Sequence, residues 1–145
     1  MPLQGTVILL TGATDGLGRQ VAIDLAKQGA SLLVHGRSPQ RGRALLQEVE
    51  GVREGAEATY YNADLSSLTE TASMESRIRA EHKRLDVLIN NAGVGVGTPG
   101  EGRTESADGY ELRFAVNVLA PFLLTNLLLP LLIPSCNQTM RNVWG

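Results

Sequence analysis

The segment Thr11–Gly18, with the sequence TGATDGLG, constrains the fold of this chain more than any other feature. It directly follows the apolar run Val7–Leu10, so a short buried strand is predicted to lead into a glycine turn and then into a helix. Glycine has no Cβ atom, which lets the backbone of such a turn approach a ligand closely. The start of the helix presents unpaired N–H groups and a positive dipole end. The segment therefore predicts a phosphate-binding turn, and a turn that merely lets a helix pack against a strand is the alternative.

Size and composition exclude several classes of function. A length of 145 residues predicts one domain. A net charge of -2 and an aromatic content of 4% give no reason to expect a nucleic-acid partner. Cys136 is the only cysteine, and the two histidines, His35 and His82, lie far apart, so neither a disulfide framework nor a metal site is expected. The N-terminus carries no signal-peptide pattern, which predicts a cytoplasmic location.

Strand-like and helix-like segments alternate along the chain. Strands are predicted over 6–10, 31–35, 57–61 and 85–89, helices over 17–28, 39–50 and 67–82, a glycine-rich loop over 94–104 and a long helix over 107–133. Apolar strands separated by helices indicate a parallel sheet that is covered on both faces. Right-handed crossovers then predict a Rossmann-like, doubly wound α/β fold with strand order 3-2-1-4. The ligand is expected at the carboxyl ends of strands 1 and 4.

Two of the predicted helices carry apolar patterns that indicate how they pack. In the first helix, Leu17, Val21 and Leu25 recur at a spacing of four and predict one buried face. The segment 114–133 has no charged residue and is nearly long enough to span a bilayer. Because asparagine and proline residues interrupt it, a buried helix of an α/β protein is predicted and a membrane span is not.

Polar signals follow predicted strands 3 and 4. The sequence Asn90-Asn91-Ala92-Gly93 comes after strand 4, where Asn91 would bond a ribose or nearby backbone; an ordinary polar turn is the alternative. Asp64 comes after strand 3, where it either caps the next helix or accepts a hydrogen bond from an adenine amino group. Parallel strands end at the same edge of the sheet, so both signals are expected beside the glycine turn.

Taken together, these motifs resemble the short-chain dehydrogenase/reductase family. The matching residues are Thr11-Gly12-x-x-x-Gly16-x-Gly18, Asp64, Asn90-Asn91-Ala92-Gly93, and Asn117 within Asn117-Val118-Leu119-Ala120-Pro121-Phe122. The resemblance implies hydride transfer between a nicotinamide dinucleotide and a small carbonyl compound or secondary alcohol. It also implies a partial NAD(P)-binding Rossmann domain over 1–135, incomplete at its C-terminal side and followed by a divergent polar tail over 136–145.

The resemblance implies cofactor contacts at each of the four strand ends and no metal site. The implied cofactor-binding residues are Gly12, Thr14, Asp15, Gly16, Leu17, Gly18, Arg37, Asp64, Leu65, Asn91, Ala92 and Gly93. Among catalytic residues only Asn117 is implied, since the matching asparagine of the family holds a water in a proton relay. A polar helix residue that is satisfied by neighbouring backbone is the alternative for Asn117.

The end of predicted strand 2 indicates which nicotinamide dinucleotide is bound. A carboxylate at this position would bond the ribose 2′-hydroxyl of NAD, but the sequence reads His35-Gly36-Arg37-Ser38. The Arg37 guanidinium suits a 2′-phosphate, and Arg41 and Arg43 add positive charge nearby. NADP(H) is therefore predicted over NAD(H), with a solvated turn residue as the alternative for Arg37. Asp15 either opposes the phosphate charge or serves as a turn or cap residue.

The proton-transfer residues of the family are not found in these 145 residues. In the family a tyrosine transfers the proton, a lysine four residues later lowers the tyrosine's pKa, and a serine on the next strand orients the substrate. Lys27 and Lys83 are the only lysines, and neither lies four residues after a tyrosine. The sequence therefore predicts the cofactor-binding half of an NADP(H)-dependent oxidoreductase, inactive alone, with an ending that resembles a truncation or a frame change.

Two other interpretations stay open, so the sequence does not decide whether the chain is itself an enzyme. One is a non-catalytic dinucleotide-binding or dimerising module from a truncated isoform. It would form a homodimer through the helix over 107–133, which is apolar nearly all round. The other is an unstable remnant without function, in which strand 4 would be a bare sheet edge.

Overall fold

Four strands alternate with helices along the chain. The computed structural model describes residues 2–95 and 102–144, with 135–144 described by their backbone alone. The strands are β1 (Val7–Leu10), β2 (Ser31–Gly36), β3 (Ala58–Asn62) and β4 (Val87–Ile89). The helices between them are α1 (Gly16–Lys27), α2 (Pro39–Val52) and α3 (Leu68–Glu81). Next come α4 (Leu112–Phe114), a π-helical turn (Ala115–Leu119) and α5 (Ala120–Trp144), which run on without a break and are called the long helix below.

The strands form one parallel sheet in the order β3-β2-β1-β4, which confirms the predicted doubly wound topology. β1 lies between β2 and β4, with Leu9 opposite Leu33 on one side and opposite Leu88 on the other. The direction of winding reverses at β1, because β2 and β3 lie on one side of it and β4 on the other. The carboxyl ends of β1 and β4 therefore open a crevice at this edge of the sheet.

The core consists of two apolar layers, one on each face of the sheet. Leu9 and Leu33 point to one face, where they pack with side chains of α3 and the long helix such as Ile78 and Leu128. The side chains on either side of Leu9, which are Ile8 and Leu10, point to the other face and pack with α1 and α2. Burial on both faces explains why β1 is apolar at every position rather than at alternate ones.

Helix α1 packs on the sheet through small residues. Gly18, Ala22 and Ala26 are its buried positions, so the predicted face of Leu17, Val21 and Leu25 is wrong by one residue. Leu17 is 74% exposed. Small side chains let the helix lie close to β1 and β2, which is the approach that a glycine turn directly after β1 permits. Val21 and Leu25 lie at the border of the helix interface, where they are partly buried.

The long helix begins at Leu112, five residues later than the pattern over 107–133 predicts. Residues before it form a tight turn, in which the Ser106 hydroxyl accepts hydrogen bonds from the N–H groups of Asp108 and Tyr110. The Glu111 carboxylate accepts a bond from the Phe114 N–H at 2.8 Å and so caps the helix start. Local capping therefore overrides the apolar periodicity that continues upstream.

Two further predictions concern the glycine-rich loop and the C-terminal tail. The predicted loop over 94–104 falls largely on 96–101, which lie outside the described residues. Over the predicted tail, 136–145, the backbone of α5 continues as far as Trp144. The domain boundary at residue 135 stays a prediction.

The long helix has one buried and one exposed apolar face. Leu124 and Leu128 belong to the core, whereas Phe122 and Val118 on the outer face are 70% and 48% exposed. The stretch Leu112–Pro134 is long and apolar enough to cross a membrane by length and composition, and 28% of its most apolar window is buried. The predicted packing of this helix on the sheet is confirmed for its inner face, and the absence of a membrane span stays a prediction.

Glu75, on α3, is a carboxyl group inside the core. It is 3% exposed, and its Oε1 atom lies 3.5 Å from the Arg79 Nε atom without a hydrogen-bond partner in the described part of the chain. Burial raises the pKa of the Glu75 carboxyl, and the attraction of Arg79 offsets this only in part. Since the pKa is higher in the folded state, ionisation of Glu75 destabilises the fold as the pH rises through that pKa.

We expect the substitution Glu75→Gln to stabilise the chain at pH 7, because it removes a buried charge at nearly constant volume. The rise in Tm should be a few degrees at pH 7 and should shrink towards about pH 4, where the wild-type carboxyl is protonated in the fold. Thermal unfolding followed by circular dichroism measures both values. Glu50→Gln, at an exposed position of α2, is the matched control and should leave Tm unchanged. A lower Tm for Glu75→Gln at pH 7 would contradict this account.

Candidate functional site

Four strand-end segments meet at the carboxyl edge of the sheet and enclose a cleft of about 750 Å³. The predicted cofactor residues all line it, and they come from the ends of all four strands. These residues are Gly12, Thr14, Asp15, Gly16, Leu17, Gly18, Arg37, Asp64, Leu65, Asn91, Ala92 and Gly93. Arg41, which was expected to add positive charge near Arg37, lines the cleft, whereas Arg43 does not. The cleft is also lined by residues that the sequence reasoning did not assign to it, namely His35, Gly36, Ser38, Val94 and Val116. The fold thus brings together residues from the ends of all four strands, but not Asn90, whose amide donates to the Thr125 hydroxyl at 3.2 Å.

The Thr11 hydroxyl joins the end of β1 to the turn after β4. Its oxygen accepts hydrogen bonds from the N–H groups of Asn91 and Ala92, both at 3.0 Å, and it lies 3.3 Å from the Ile89 carbonyl to which it donates. The Asn91 side-chain amide donates to the carbonyl groups of Thr11 and Gly12 at 3.0 and 3.1 Å. Of the two partners expected for Asn91, nearby backbone is therefore the one that the structure shows.

The glycine turn requires residues without side chains at Gly12 and Gly18. Gly12 has a φ of 65°, and a Cβ atom there would lie 2.7 Å from the Ala92 Cα atom. A Cβ atom on Gly18 would overlap the Gly12 carbonyl oxygen and would crowd the Asn91 amide. The turn is thus held against both α1 and the segment after β4, and its backbone faces the cleft.

The start of α1 is the electropositive end of the cleft. The N–H groups of Leu17 and Gly18 lie in the first turn of this helix, where no intrahelical acceptor is in reach. Asp15 precedes the helix with extended backbone, and its carboxylate accepts a bond from the Gly16 N–H at 2.8 Å. This arrangement suits an anion such as a phosphate.

Two arginines differ in how they are held at the mouth of the cleft. Arg41 pairs with Asp15, with 2.8 Å between the Nη1 and Oδ2 atoms, so Asp15 acts as a cap residue that is also neutralised. Arg37, directly after β2, is exposed and forms no ion pair within residues 2–95 and 102–134. The Arg37 guanidinium is therefore available to an anionic group at the end of β2.

Asp64 lies at the cleft edge and organises the start of α3. Its Oδ1 atom accepts a bond from the Ser66 N–H at 2.9 Å, while Ser67 is the N-cap of α3. The Glu70 carboxylate reaches back to the Asp64 N–H at 2.7 Å. One carboxylate oxygen of Asp64 thus stabilises the turn before α3. The adenine contact expected for Asp64 stays a prediction.

Asn117 lies in the π-helical turn and fixes the backbone that follows Gly93. Its Oδ1 atom accepts from the Val94 N–H at 2.9 Å, and its Nδ2 atom donates to the Val94 carbonyl at 3.0 Å. The side chain is thus satisfied by backbone, as the second of its two interpretations predicts, and it does not line the cleft. Its place in a proton relay stays a prediction, and π-helical turns do recur at functional sites.

None of the three tyrosines is placed for proton transfer. Tyr61 is buried and donates to the Glu81 carboxylate at 2.6 Å, and burial together with Glu81 raises the pKa of its hydroxyl above the ordinary value. The Tyr60 hydroxyl donates to the Gly36 carbonyl at 2.8 Å. Tyr110 lies in the turn before the long helix and does not line the cleft. A proton-transferring tyrosine needs a lowered pKa, so Tyr61 does not fit that role.

His35 is the functional candidate that the sequence reasoning missed. It is the second-to-last residue of β2, lines the cleft and is 2% exposed. The Gly12 N–H donates to its Nδ1 atom at 3.2 Å, and its Nε2 atom lies 3.1 Å from the Ala63 carbonyl oxygen. The sequence signal that could have identified it is its place at the end of a predicted strand, because these strand ends lie at the edge where the ligand is expected. No group of three metal-ligating side chains is found in the part of the chain that the structure describes.

A glycine turn between β1 and α1, at the point where the winding of a parallel sheet reverses, defines a dinucleotide-binding protein of the Rossmann type. The family model for short chain dehydrogenases matches residues 6–140. The chain therefore belongs to the short-chain dehydrogenase family.

Similar proteins and structures agree with this assignment. Human retinol dehydrogenase 13 is 34% identical over 141 residues, which are 97% of this chain and 41% of that protein. A metagenomic short-chain oxidoreductase solved in complex with NADP has a TM-score of 0.74 and 34% identity, over 93% of this chain and 58% of that one. A Sphingobium yanoikuyae short-chain dehydrogenase in complex with NADPH has a TM-score of 0.72 and 30% identity, over 86% and 48%. The chain spans less than half the length of the curated relatives it matches.

We expect Gly18→Ala to destabilise the chain by about 1–3 kcal/mol, because the added methyl group meets backbone that cannot move freely. Urea unfolding measures the difference in free energy. Gly51→Ala is the matched control, since Gly51 is also helical and has open space around its Cβ position. That variant should be as stable as the wild type or slightly more so. Equal stability of the Gly18 and Gly51 variants would show that the turn is looser than described.

Proposed function

We propose that the chain is the cofactor-binding part of an NADP(H)-dependent short-chain oxidoreductase that acts on a carbonyl compound or a secondary alcohol. The observation that carries this proposal is the combination of the glycine turn and the N-terminus of α1 with Arg37 at the end of β2. Support comes from the family assignment and from the two similar structures that hold NADP and NADPH. A cytoplasmic location is part of the proposal.

The residues at the cleft fit a dinucleotide phosphate. A volume of about 750 Å³ lies in the range of small-molecule and cofactor sites. The cradle formed by Gly12 and Gly18 is one that a Cβ atom would fill, and it opens at the helix N-terminus where a pyrophosphate is best stabilised. Asp64 and Leu65, at the end of β3, would border the adenine.

Arg37 carries the preference for a 2′-phosphate in this proposal. It follows β2, where dinucleotide-binding folds recognise the adenine ribose, and no carboxylate stands at that strand end. A guanidinium group makes two parallel hydrogen bonds to a phosphate, whereas a ribose hydroxyl offers it no charge to neutralise. Arg41 also lines the cleft, where it neutralises Asp15, so the acid of the glycine turn does not oppose the 2′-phosphate.

A bound nicotinamide supplies hydride chemistry, and the chain's own residues position it. Gly93 and Val94 border the cleft on the β4 side, and Asn117 holds the Val94 backbone in place. Transfer of the substrate proton needs an acid near neutral pH, and a free tyrosine is about three units too weak for this. The 145 residues hold no tyrosine four residues before a lysine. We therefore propose binding without turnover for this chain by itself.

The second candidate function is a non-catalytic dinucleotide-binding module that forms a homodimer. The outer face of the long helix favours it, since large apolar residues are exposed there, namely Phe114, Val118, Phe122, Leu129 and Ile133. A contiguous apolar surface on one helix is typical of interaction sites. In this proposal a second copy of the chain covers that face, and no membrane or nucleic acid is involved.

We expect Arg37→Asp to weaken NADPH binding by about tenfold to a hundredfold, since a charge-assisted hydrogen bond contributes about 1.5–3 kcal/mol. NADH binding should stay the same or become tighter, because NADH has no 2′-phosphate and the new carboxylate can accept a hydrogen bond from its ribose 2′-hydroxyl. Titration of the intrinsic fluorescence of each reduced dinucleotide measures both dissociation constants. Lys83→Asp makes the same change of charge at an exposed position outside the cleft lining and is the matched control. An equal loss for NADPH and NADH would overturn the assignment of Arg37.

We also expect no NADPH oxidation by the pure 145-residue chain with carbonyl substrates. The reason is that the chain holds no tyrosine and lysine at the spacing that lowers the tyrosine's pKa. Absorbance at 340 nm, with a panel of aldehydes and ketones, measures the rate. Dinucleotide without enzyme gives the background. A rate above background that survives repurification would show that another residue transfers the proton.

A further inference from the structure

The imidazole of His35 lies between backbone groups of two different strand ends. On one side the Gly12 N–H donates to Nδ1 at 3.2 Å, and on the other Nε2 lies 3.1 Å from the Ala63 carbonyl oxygen. A backbone N–H only donates and a carbonyl oxygen only accepts. The ring must therefore be neutral, with its proton on Nε2. The Ala13 N–H donates to the His35 carbonyl at 2.8 Å, which adds a second link between β2 and the glycine turn.

A second proton on this ring would break the contact with the glycine turn. It would sit on Nδ1 and face the Gly12 N–H, inside a site where the ring is 2% exposed. Burial lowers the pKa of His35 from its ordinary value. This effect outweighs the hydrogen bond to Ala63 and the attraction of Asp64, which both act to raise the pKa. Arg37 adds to the lowering. The acid of the glycine turn, Asp15, is engaged by Arg41.

The glycine turn is held from both sides. Asn91, after β4, bonds the Gly12 carbonyl at 3.1 Å, and His35, at the end of β2, accepts from the Gly12 N–H. Loss of the His35 bond would free one side of the turn at Gly12, the residue that packs on Ala92. The cofactor phosphates approach the turn from the cleft, so its position decides how well its N–H groups meet them.

We propose that His35 is a positioning residue that locks the glycine turn to the end of β3 and makes dinucleotide binding weaken on acidification. This inference rests on the proposed function, because it assigns the turn to the cofactor phosphates. Binding requires the neutral ring, so affinity falls as His35 takes up a proton. The same protonation destabilises the fold. The stability that the neutral ring contributes is fully present above about pH 6.5, the ordinary pKa of histidine, and is lost as the pH falls below it.

The test compares three forms of the chain in NADPH titrations between pH 7.5 and pH 5. His35→Gln keeps one acceptor and one donor but cannot be protonated, so it replaces both bonds without the titration. His82→Gln removes the only other histidine and is the matched control. The dissociation constant of the wild type and of His82→Gln should rise, relative to that of His35→Gln, by up to about tenfold per pH unit below the pKa of His35. Changes in the ionisation of NADPH itself cancel in these ratios.

The outcomes separate this inference from the function on which it rests. Equal pH profiles of the wild type and His35→Gln would overturn the pH dependence that we assign to His35 and leave NADPH binding intact. No NADPH binding by the wild type at pH 7.5 would overturn the proposed function instead. Long-range ¹H–¹⁵N spectra of the free wild-type chain measure the protonation of the His35 ring directly. They need no variant, so they apply even if His35→Gln does not fold. A neutral ring protonated on Nε2 at pH 7 supports it, and a ring protonated on Nδ1 or titrating near pH 6.5 overturns it.

Discussion

The structure depends on the parallel pairing of β1 with β2 on one side and with β4 on the other. This pairing buries β1 on both faces and, together with the parallel pairing of β2 with β3, places the loops after all four strands at one edge of the sheet. Residues that are far apart in the sequence, such as Gly12 and Asn91, thereby come within hydrogen-bond distance. The cleft is a consequence of this topology, because the winding reverses at β1 and the loops after β1 and β4 diverge there.

The electrostatics of the cleft follow from the same arrangement. The N-terminus of α1 and the exposed Arg37 provide positive potential at two places, one suited to a pyrophosphate and one to a 2′-phosphate. Asp15 carries the opposing charge, but its carboxylate is occupied by the Gly16 N–H and by Arg41. The loop therefore tolerates an acid beside the proposed phosphate site, since the acid caps α1 and is neutralised by an arginine of α2.

Much of the fold was predictable because its signals are local. The alternation of apolar strands and helices determined the order of elements, and strand ends could be located to within one or two residues. The face of α1 was predicted wrongly, since periodicity favours Leu17 while close packing on the sheet selects Gly18 and Ala22. The start of the long helix was also predicted wrongly, because the cap at Glu111 is a matter of hydrogen-bond geometry rather than of hydrophobic pattern.

The sequence by itself determined the class of fold, the glycine turn after β1 and the residue after β2, because each is specified by a short stretch of chain. It also determined that the tyrosine and lysine pair is not among these 145 residues. Only the tertiary structure decided the burial, the protonation and the hydrogen-bond partners of individual side chains. The neutral ring of His35, the hold of Asn117 on Val94 and the buried carboxyl of Glu75 all depend on partners from other elements. Burial and hydrogen-bond direction are properties of the packed chain, so no local pattern specifies them.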